Sequence, residues 1–354
     1  MSARGKVVVA MSGGVDSSVA AAILLEAGWE VLGATLDWRG PKGAGDEGGC
    51  GRDAVDRARE VARQLGMEHR VVRCGDDFER LVLRPAWEEY ARGRTPSPCV
   101  HCNRMIKLRL MARLAAEVGA DRIATGHFAR MAPGGVLRRG ADRSKDQSYF
   151  LFALTEEQRR SALFPLGEMD KEEVRERASR LDLASADAPE SQDACFGDGD
   201  LGFAEALRRR FGAAARGGEV LDRDGAVIGE HGGIHLFTVG QRKGLGIATG
   251  RRAYVSMIDP ATARVVLTGA PADLESDRLR ASGFVWHGDP PAGPVRCGAQ
   301  VRYRSSPADA EAVPDGRGVS VLFDSPQRAV APGQAVVLYD GDRVLGGGWI
   351  DSTK

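Results

Sequence analysis

A run of valines, Lys6-Val7-Val8-Val9-Ala10, stops at Met11-Ser12-Gly13-Gly14, and an apolar helical pattern follows at Val15, Val19, Ala22, Ile23 and Leu24. No other feature constrains the fold as tightly. A short strand that is apolar at every position has both faces covered, as in a parallel sheet. A glycine turn leading straight into a helix starts a crossover unit of such a sheet. The pattern then recurs: residues 29–36 read as strand, 53–65 as helix, 69–72 as strand, 76–92 and 104–118 as helix, and 121–125 as strand ending in Gly126-His127. This alternation predicts an α/β fold with a doubly wound parallel sheet. Ligands of such sheets bind at the carboxyl ends of the strands, where residues 12–14 and 126–127 both fall.

Helix is expected again over 155–181, and the glycine-rich stretch 38–51 reads as a mobile loop. Near 217 the texture changes. Short apolar runs at 219–221, 227–229 and 235–238 alternate with turns such as Asp224-Gly225, Pro332-Gly333 and Asp340-Gly341. The expected division is a catalytic α/β domain over 1–200, a small β-rich central domain over 201–272 and a C-terminal β-barrel over 273–354. With 43% hydrophobic and 28% charged residues in 354, the chain can build real cores. Its formal net charge of zero excludes a uniformly basic nucleic-acid binder but leaves room for local basic patches. No apolar run approaches the roughly 20 residues of a membrane span, and no signal segment is evident, so a cytoplasmic protein is expected.

The glycine turn has the makings of a phosphate site. Two glycines allow a ligand close to the backbone, and the helix that follows offers free N–H groups and a partial positive charge. Ser12, Ser17 and Ser18 add hydroxyls. Asp16 would repel a bare anion, yet suits a magnesium ion shared with phosphates. The loop is neither a Walker A motif nor a dinucleotide fingerprint. The plain alternative is a tight capped turn.

Six cysteines in a chain this long do not make a disulfide scaffold. Cys50, Cys74 and Cys297 read as small apolar residues. Cys99 and Cys102 stand at C-x-x-C spacing in Thr95-Pro96-Ser97-Pro98-Cys99-Val100-His101-Cys102-Asn103, just ahead of a helical run, where a thiolate is favoured. Cys195 lies in the polar stretch Ser191-Gln192-Asp193-Ala194-Cys195. A structural zinc would need a fourth ligand, and His101 is poorly placed for it.

Ser12 to Ser18 resembles the PP-loop of the ATP pyrophosphatase superfamily. Together with GRTPSPCVHCNRMIK (93–107), ATGHFAR (124–130), LRRGADRSKDQSYFL (137–151), FPLGEMDKEEVRE (164–176), ESQDACF (190–196), FTVGQRKGLGI (237–247) and VRYR (301–304), it makes the whole chain similar to bacterial tRNA-specific 2-thiouridylases. That resemblance implies an ATP-dependent sulfurtransferase acting on the wobble uridine of tRNA. It implies ATP at Ala10, Met11, Ser12, Gly13, Gly14, Val15, Asp16, Ser17, Leu36 and Gly126, with Mg²⁺ through Asp16. Cys102 would be the nucleophile and Cys195 the persulfide carrier. Ser97, Pro98 and Cys99 would line the target base. His127, Lys145, Asp146, Gln147, Arg302, Tyr303 and Gln334 would contact tRNA. Leu36 departs from the methionine of many members. Cys99 stands where the best-known members have an aspartate, a far stronger acid than a thiol.

Two routes for the sulfur stay open: a persulfide relay through Cys195 and Cys102, or a 4Fe–4S cluster held by Cys99, Cys102 and Cys195. The implied partners are tRNA for Lys, Glu and Gln and a sulfur-relay protein or cysteine desulfurase, with a monomeric chain expected. Phosphate contacts need local cations. The candidates are Arg104, Lys107 and Arg109; Arg138, Arg139, Arg143 and Lys145; Arg208, Arg209 and Arg210; and Arg242 with Lys243. The rival readings are another PP-loop synthetase acting on a small molecule, and a non-enzymatic scaffold with a dead loop.

Overall fold

The computed structural model describes residues 4–38, 52–188 and 202–353. Cys50, Cys195 and nearly all of the 38–51 stretch lie outside them. The chain forms two compact units. One is built from residues 1–82, 99–200 and 342–344, the other from 83–98, 201–341 and 345–354.

In the first unit, β1 (Lys6–Ala10), β2 (Glu30–Asp37), β3 (Glu68–Arg73) and β4 (Arg122–Thr125) form a parallel sheet in the order β3-β2-β1-β4, with the two-residue strand Ala162–Leu163 at its edge. Val7, Val8 and Val9 are fully buried, each such side chain contributing roughly 1.5–3 kcal/mol. Helix α1 (Val15–Glu26) buries Val15, Val19, Ala20, Ala21 and Leu24 against them. Strand order reverses between β1 and β4, which pair in register with Ala10 opposite Thr125. A crevice at the carboxyl ends of the strands opens at such a reversal.

Residues 98–118 run as one continuous helical segment whose middle, Cys102–Lys107, is wound as π-helix. Gly119, at φ +65°, ends it in the left-handed conformation. The helix expected over 155–181 is present as two pieces. Helix Glu156–Ser161 gives way to the short strand and then to turns around Pro165 and Gly167 before helix Lys171–Arg180 begins. Each helix opens on its own capping box, Thr155 with Gln158 and Asp170 with Glu173. A hairpin, Ala129–Ala132 with Val136–Arg139, was not foreseen.

In the second unit, strands Tyr254–Asp259, Arg264–Thr268, Gly218–Leu221 and Val227–His231 make a four-stranded sheet in that spatial order. Its core is Val220, Ile234, Phe237, Val255, Val265 and Leu267. The strand expected over 235–238 is corrected to a 3-10 turn, Ile234–Leu236. The turn follows Gly232-Gly233 and buries His235 beside Trp87. Six antiparallel strands close the C-terminal barrel in the order Glu275–Trp286, Gly318–Arg328, Ala308–Asp315, Val295–Gln300, Ala335–Asp340 and Arg343–Thr353. The last returns to the first. The same sheet continues from the last barrel strand into the hairpin 129–139, with Arg343 opposite Arg138.

Candidate active site

The turn after β1 is laced from within. Met11 N–H donates to Ala34 O at 2.8 Å, which extends the sheet ladder one residue past the strand. Thr35 Oγ1 donates to Met11 O at 2.8 Å. Its single proton is thereby used, so the 2.8 Å contact with His69 Nε2 has the ring donating. Ser12 N–H donates to Ser17 Oγ at 3.1 Å, while the Ser17 and Ser18 hydroxyls both donate to Gly14 O at 3.0 Å.

The two glycines are required for different reasons. Gly13 has φ +75°, and a Cβ there would lie 2.1 Å from Ala54 O. Only glycine fits. Gly14 has ordinary dihedrals as the N-cap of α1, and a Cβ there would meet only Ser12 Oγ at 3.4 Å. Among the described residues no protein atom explains a glycine at 14; a ligand brought against its backbone would. Gly126, at the end of β4, closes the other side. A Cβ there would stand 2.7 Å from Asp16 C and Ser17 N.

Asp16 forms an ion pair with Lys171. Lys171 is the first residue of its capped helix, largely buried, with its ammonium 5.6 Å from the Phe128 ring centre. The motif FPLGEMDKEEVRE was visible in sequence, but nothing there tied Lys171 to the loop. The ammonium opposite the loop aspartate balances its charge. Leu36 is half-buried on β2.

Gly126 leads into His127, which is buried, with its Nδ1 2.6 Å from Thr125 Oγ1 and its Nε2 3.5 Å from Lys107 Nζ. An ammonium only donates, so Nε2 is the acceptor and the proton sits on Nδ1. Burial, helped by Lys107, holds the ring's pKa well below 6.5. His127 therefore supports Lys107, a phosphate candidate from the sequence.

Cys99 and Cys102 occupy the first helical turn of 98–118, both half-buried, at i and i+3 on one face. Cys102 opens the π-helical stretch, a geometry frequent at functional sites. Asn103, buried behind it, donates to Phe150 O at 3.2 Å. Cys74 and Cys297 are buried as expected, their thiols pushed up to about 12 and about 11 chiefly by burial. Among the described residues no three His, Cys, Asp or Glu side chains cluster in a way that could hold a metal. Two of the three candidate cluster ligands are described, and the third, Cys195, is not.

The triplet 145–147 divides in role. The Asp146 carboxylate is buried and accepts from Arg139 Nε, Gly140 N–H and Ser148 N–H. Gln147 Oε1 accepts from Phe128 N–H at 3.0 Å. Both stiffen the loop that presents half-buried Lys145. In the second unit, Gln334 Nε2 donates to Thr95 O and Pro96 O at 3.2 and 3.0 Å, so it holds the segment that leads into buried Ser97 and half-buried Pro98. Arg302 is exposed. Gln300 donates to the carbonyls of Arg302 and Tyr303 and so sets the turn that carries them.

A PP-loop at a sheet's switch point and a C-x-x-C helical turn in the same unit define an adenylating enzyme class with thiol chemistry. Three family models match: the tRNA methyl transferase HUP domain over residues 5–198, the tRNA methyl transferase PRC-barrel domain over 206–268, and the aminomethyltransferase β-barrel domain over 276–350. Among curated relatives, the tRNA-specific 2-thiouridylase MnmA of Geobacter metallireducens is 45% identical over 99% of this chain and 98% of its own. Those of Carboxydothermus hydrogenoformans and Syntrophotalea carbinolica are 46% and 47% identical, covering 98% and 97% of this chain and 98% of each relative. A 4-thiouridine synthetase–RNA complex with bound ATP aligns at a TM-score of 0.36 and 21% identity over 54% of this chain and 44% of that one. The chain belongs to the tRNA-specific 2-thiouridylase family.

Proposed function

We propose that this chain uses ATP to activate the C2 oxygen of the wobble uridine of tRNA and replaces it with sulfur. The family membership makes it a tRNA sulfurtransferase; the residue roles below are our reading. The observation that carries them is Gly14, a glycine that no contact among the described residues requires, on a loop that Gly126 and Thr35 hold rigid.

ATP phosphates would lie against the backbone of Ser12 to Ser17, with Val15 starting the helix and Ala10, Met11, Leu36 and Gly126 forming the walls. Mg²⁺ would sit on Asp16, and Lys171 would turn to the polyphosphate. Charge developing on the phosphates would meet N–H donors already in place. The uridine oxygen attacks the α-phosphorus and pyrophosphate leaves. The terminal sulfur of a Cys195 persulfide then displaces AMP from C2. The Cys102 thiolate attacks the Cys195 sulfur, which releases 2-thiouridine and leaves a Cys102–Cys195 disulfide for a reductant to open. Cys99 lines the base pocket with Ser97 and Pro98, while His127, Lys145, Asp146, Gln147, Arg302, Tyr303 and Gln334 hold or shape the tRNA surface.

Placement of Cys99 on the same helical face as Cys102 favours a second reading, in which both join Cys195 as 4Fe–4S ligands. The implied setting is a cytoplasmic monomer of three domains, 1–200, 201–272 and 273–354, acting on tRNA for Lys, Glu and Gln with a sulfur-relay protein or desulfurase. No described helix is long and apolar enough to cross a membrane.

The matched models carry methyl-transfer descriptions; a PP-loop and two half-buried cysteines on one helical face support sulfur transfer instead. The deciding experiment incubates anaerobically purified enzyme with tRNA transcript, ATP and a persulfide donor. AMP, pyrophosphate and 2-thiouridine should appear one to one, and Cys102→Ser should abolish the thionucleoside. Methyl incorporation without AMP would overturn the reading. Iron content of the same preparation separates the relay from the cluster.

A further inference from the structure

Among the described residues, several arginines of the basic clusters are paired where they stand. Arg139 pairs with Asp146, Arg143 with Asp342, Arg208 and Arg209 with Glu205, and Arg109 with Asp77. Arg242 and Arg328 differ: both are exposed, and among the described residues neither has an ion-pair partner. They nevertheless converge. The Arg328 guanidinium carbon lies 4.5 Å from the ring centre of Tyr254. Arg328, and more weakly Arg242, hold the Tyr254 phenol below its usual range, so both cations stand close to one hydroxyl.

The backbone builds this convergence. Gly240, at φ +87°, donates to Val255 O at 2.7 Å, and Val255 N–H donates to Gln241 O at 3.0 Å. The Gln241 side chain accepts from Thr238 N–H and donates to Lys243 O. A Cβ on Gly240 would lie 2.3 Å from the Ala329 Cβ. The loop 238–243 is thus tied to the strand carrying Tyr254 and pressed onto the turn that follows Arg328. Three residues distant in sequence are fixed together with two like charges side by side; Glu275 lies opposite Arg328 in the strand register without forming an ion pair with it.

A guanidinium over an aromatic face has five N–H donors, so one that reaches the phenol oxygen leaves others in the fork geometry that fits a phosphate. Exposed Lys243, Arg251 and Arg252 neighbour these residues in sequence and add more charge than one small anion would use. We propose that Arg242, Tyr254 and Arg328 form a clamp for a phosphate of the tRNA backbone. The proposal rests on the reading of the chain as a tRNA enzyme and adds a contact that the sequence motifs did not assign.

The test is filter binding of tRNA transcript to the full-length enzyme across a salt series. Variants are Arg242→Ala, Arg328→Ala, the double, and the double lysine replacement, each checked by thermal melting. In the double alanine variant the tRNA Kd should rise about tenfold, and the slope of log affinity against log salt should fall by about 1 to 2, as expected when two phosphate contacts are lost. Lysines should restore most of the affinity, and Arg264→Ala, whose partner Glu219 already neutralises it, should change nothing. A folded double variant with wild-type Kd and slope overturns the clamp. So does displacement of tRNA by low-millimolar inorganic phosphate, which would mark a small-anion site. If the wild type binds no tRNA, the functional reading falls as well; if it binds and the double matches it, only the clamp falls.

Discussion

Gly126→Ala is the sharpest probe of the nucleotide loop. Gly126 has no left-handed φ, so alanine brings no backbone strain. Its Cβ does arrive 2.7 Å from Asp16 C and Ser17 N, where ordinary contact begins at 3.4 Å. The obstacle is backbone, so the first turn of α1 must retreat by about 0.7 Å. Such overpacking costs roughly 1–3 kcal/mol of stability. The larger effect falls on chemistry, because misplacement by about 1 Å can cost on the order of 10²-fold in rate. Turnover, read as tRNA-dependent AMP and pyrophosphate release, should fall roughly ten- to a hundredfold. Gly14→Ala is the companion. It meets only Ser12 Oγ at 3.4 Å, so its melting curve should stay near wild type, within about 0.5 kcal/mol. Its ATP affinity should nevertheless collapse, because the methyl occupies the phosphate's place. If Gly126→Ala turns over within twofold of wild type, or Gly14→Ala binds ATP normally, the loop does not hold phosphates in the way argued.

Lys171→Met leaves Asp16 without its counter-ion and should raise the KM for ATP about tenfold, roughly 1.4 kcal/mol, with the fold retained; an unchanged KM would make Lys171 a purely structural lysine. The folded chain keeps His127 neutral while the unfolded chain takes a proton near pH 6.5, so stability is full above that pH and falls as pH drops below it. The slope from this ring is at most about 1.4 kcal/mol per pH unit, with His69 and His231 adding in the same direction. Urea midpoints from pH 7 to 5 should fall less steeply in His127→Gln, and coincident slopes would mean that the ring is not held neutral. Iodoacetamide on native enzyme at pH 8 should spare Cys74 and Cys297, which burial pushes far above that pH; their rapid alkylation, mapped by peptide mass, would show that those cores open.

The parallel sheet was legible because its cause is local. Three consecutive valines, a glycine turn and an apolar helix face leave few alternatives, and Gly126-His127 declared itself at the end of a second such strand. Helix over 155–181 was legible, but its interruption at Phe164-Pro165-Leu166-Gly167 went unmarked, because apolar spacing on both sides outweighed a turn signal in plain view. Hairpin 129–139 escaped because Ala-Arg-Met-Ala and Val-Leu-Arg-Arg carry almost no strand composition, and pairing alone makes them strands. The loop's glycines could be picked out, but not the difference between them, since Ala54 O behind Gly13 comes from a helix some forty residues later.

Charges were the least legible part, for the same reason. A run such as Arg208-Arg209-Arg210 looks like a phosphate surface until Glu205, one helical turn back, is seen to hold two of its members. Lys171 looks like a solvated helix residue until it meets Asp16 across 155 positions. Asp146, assigned to tRNA by motif, is turned inward by Arg139 and two backbone N–H groups. A cationic residue speaks for a nucleic-acid partner only after its protein partners have been counted. By that measure the pair Arg242 and Arg328, drawn together around Tyr254 and without an ion-pair partner among the described residues, is a stronger pointer to RNA than a run whose members are already paired.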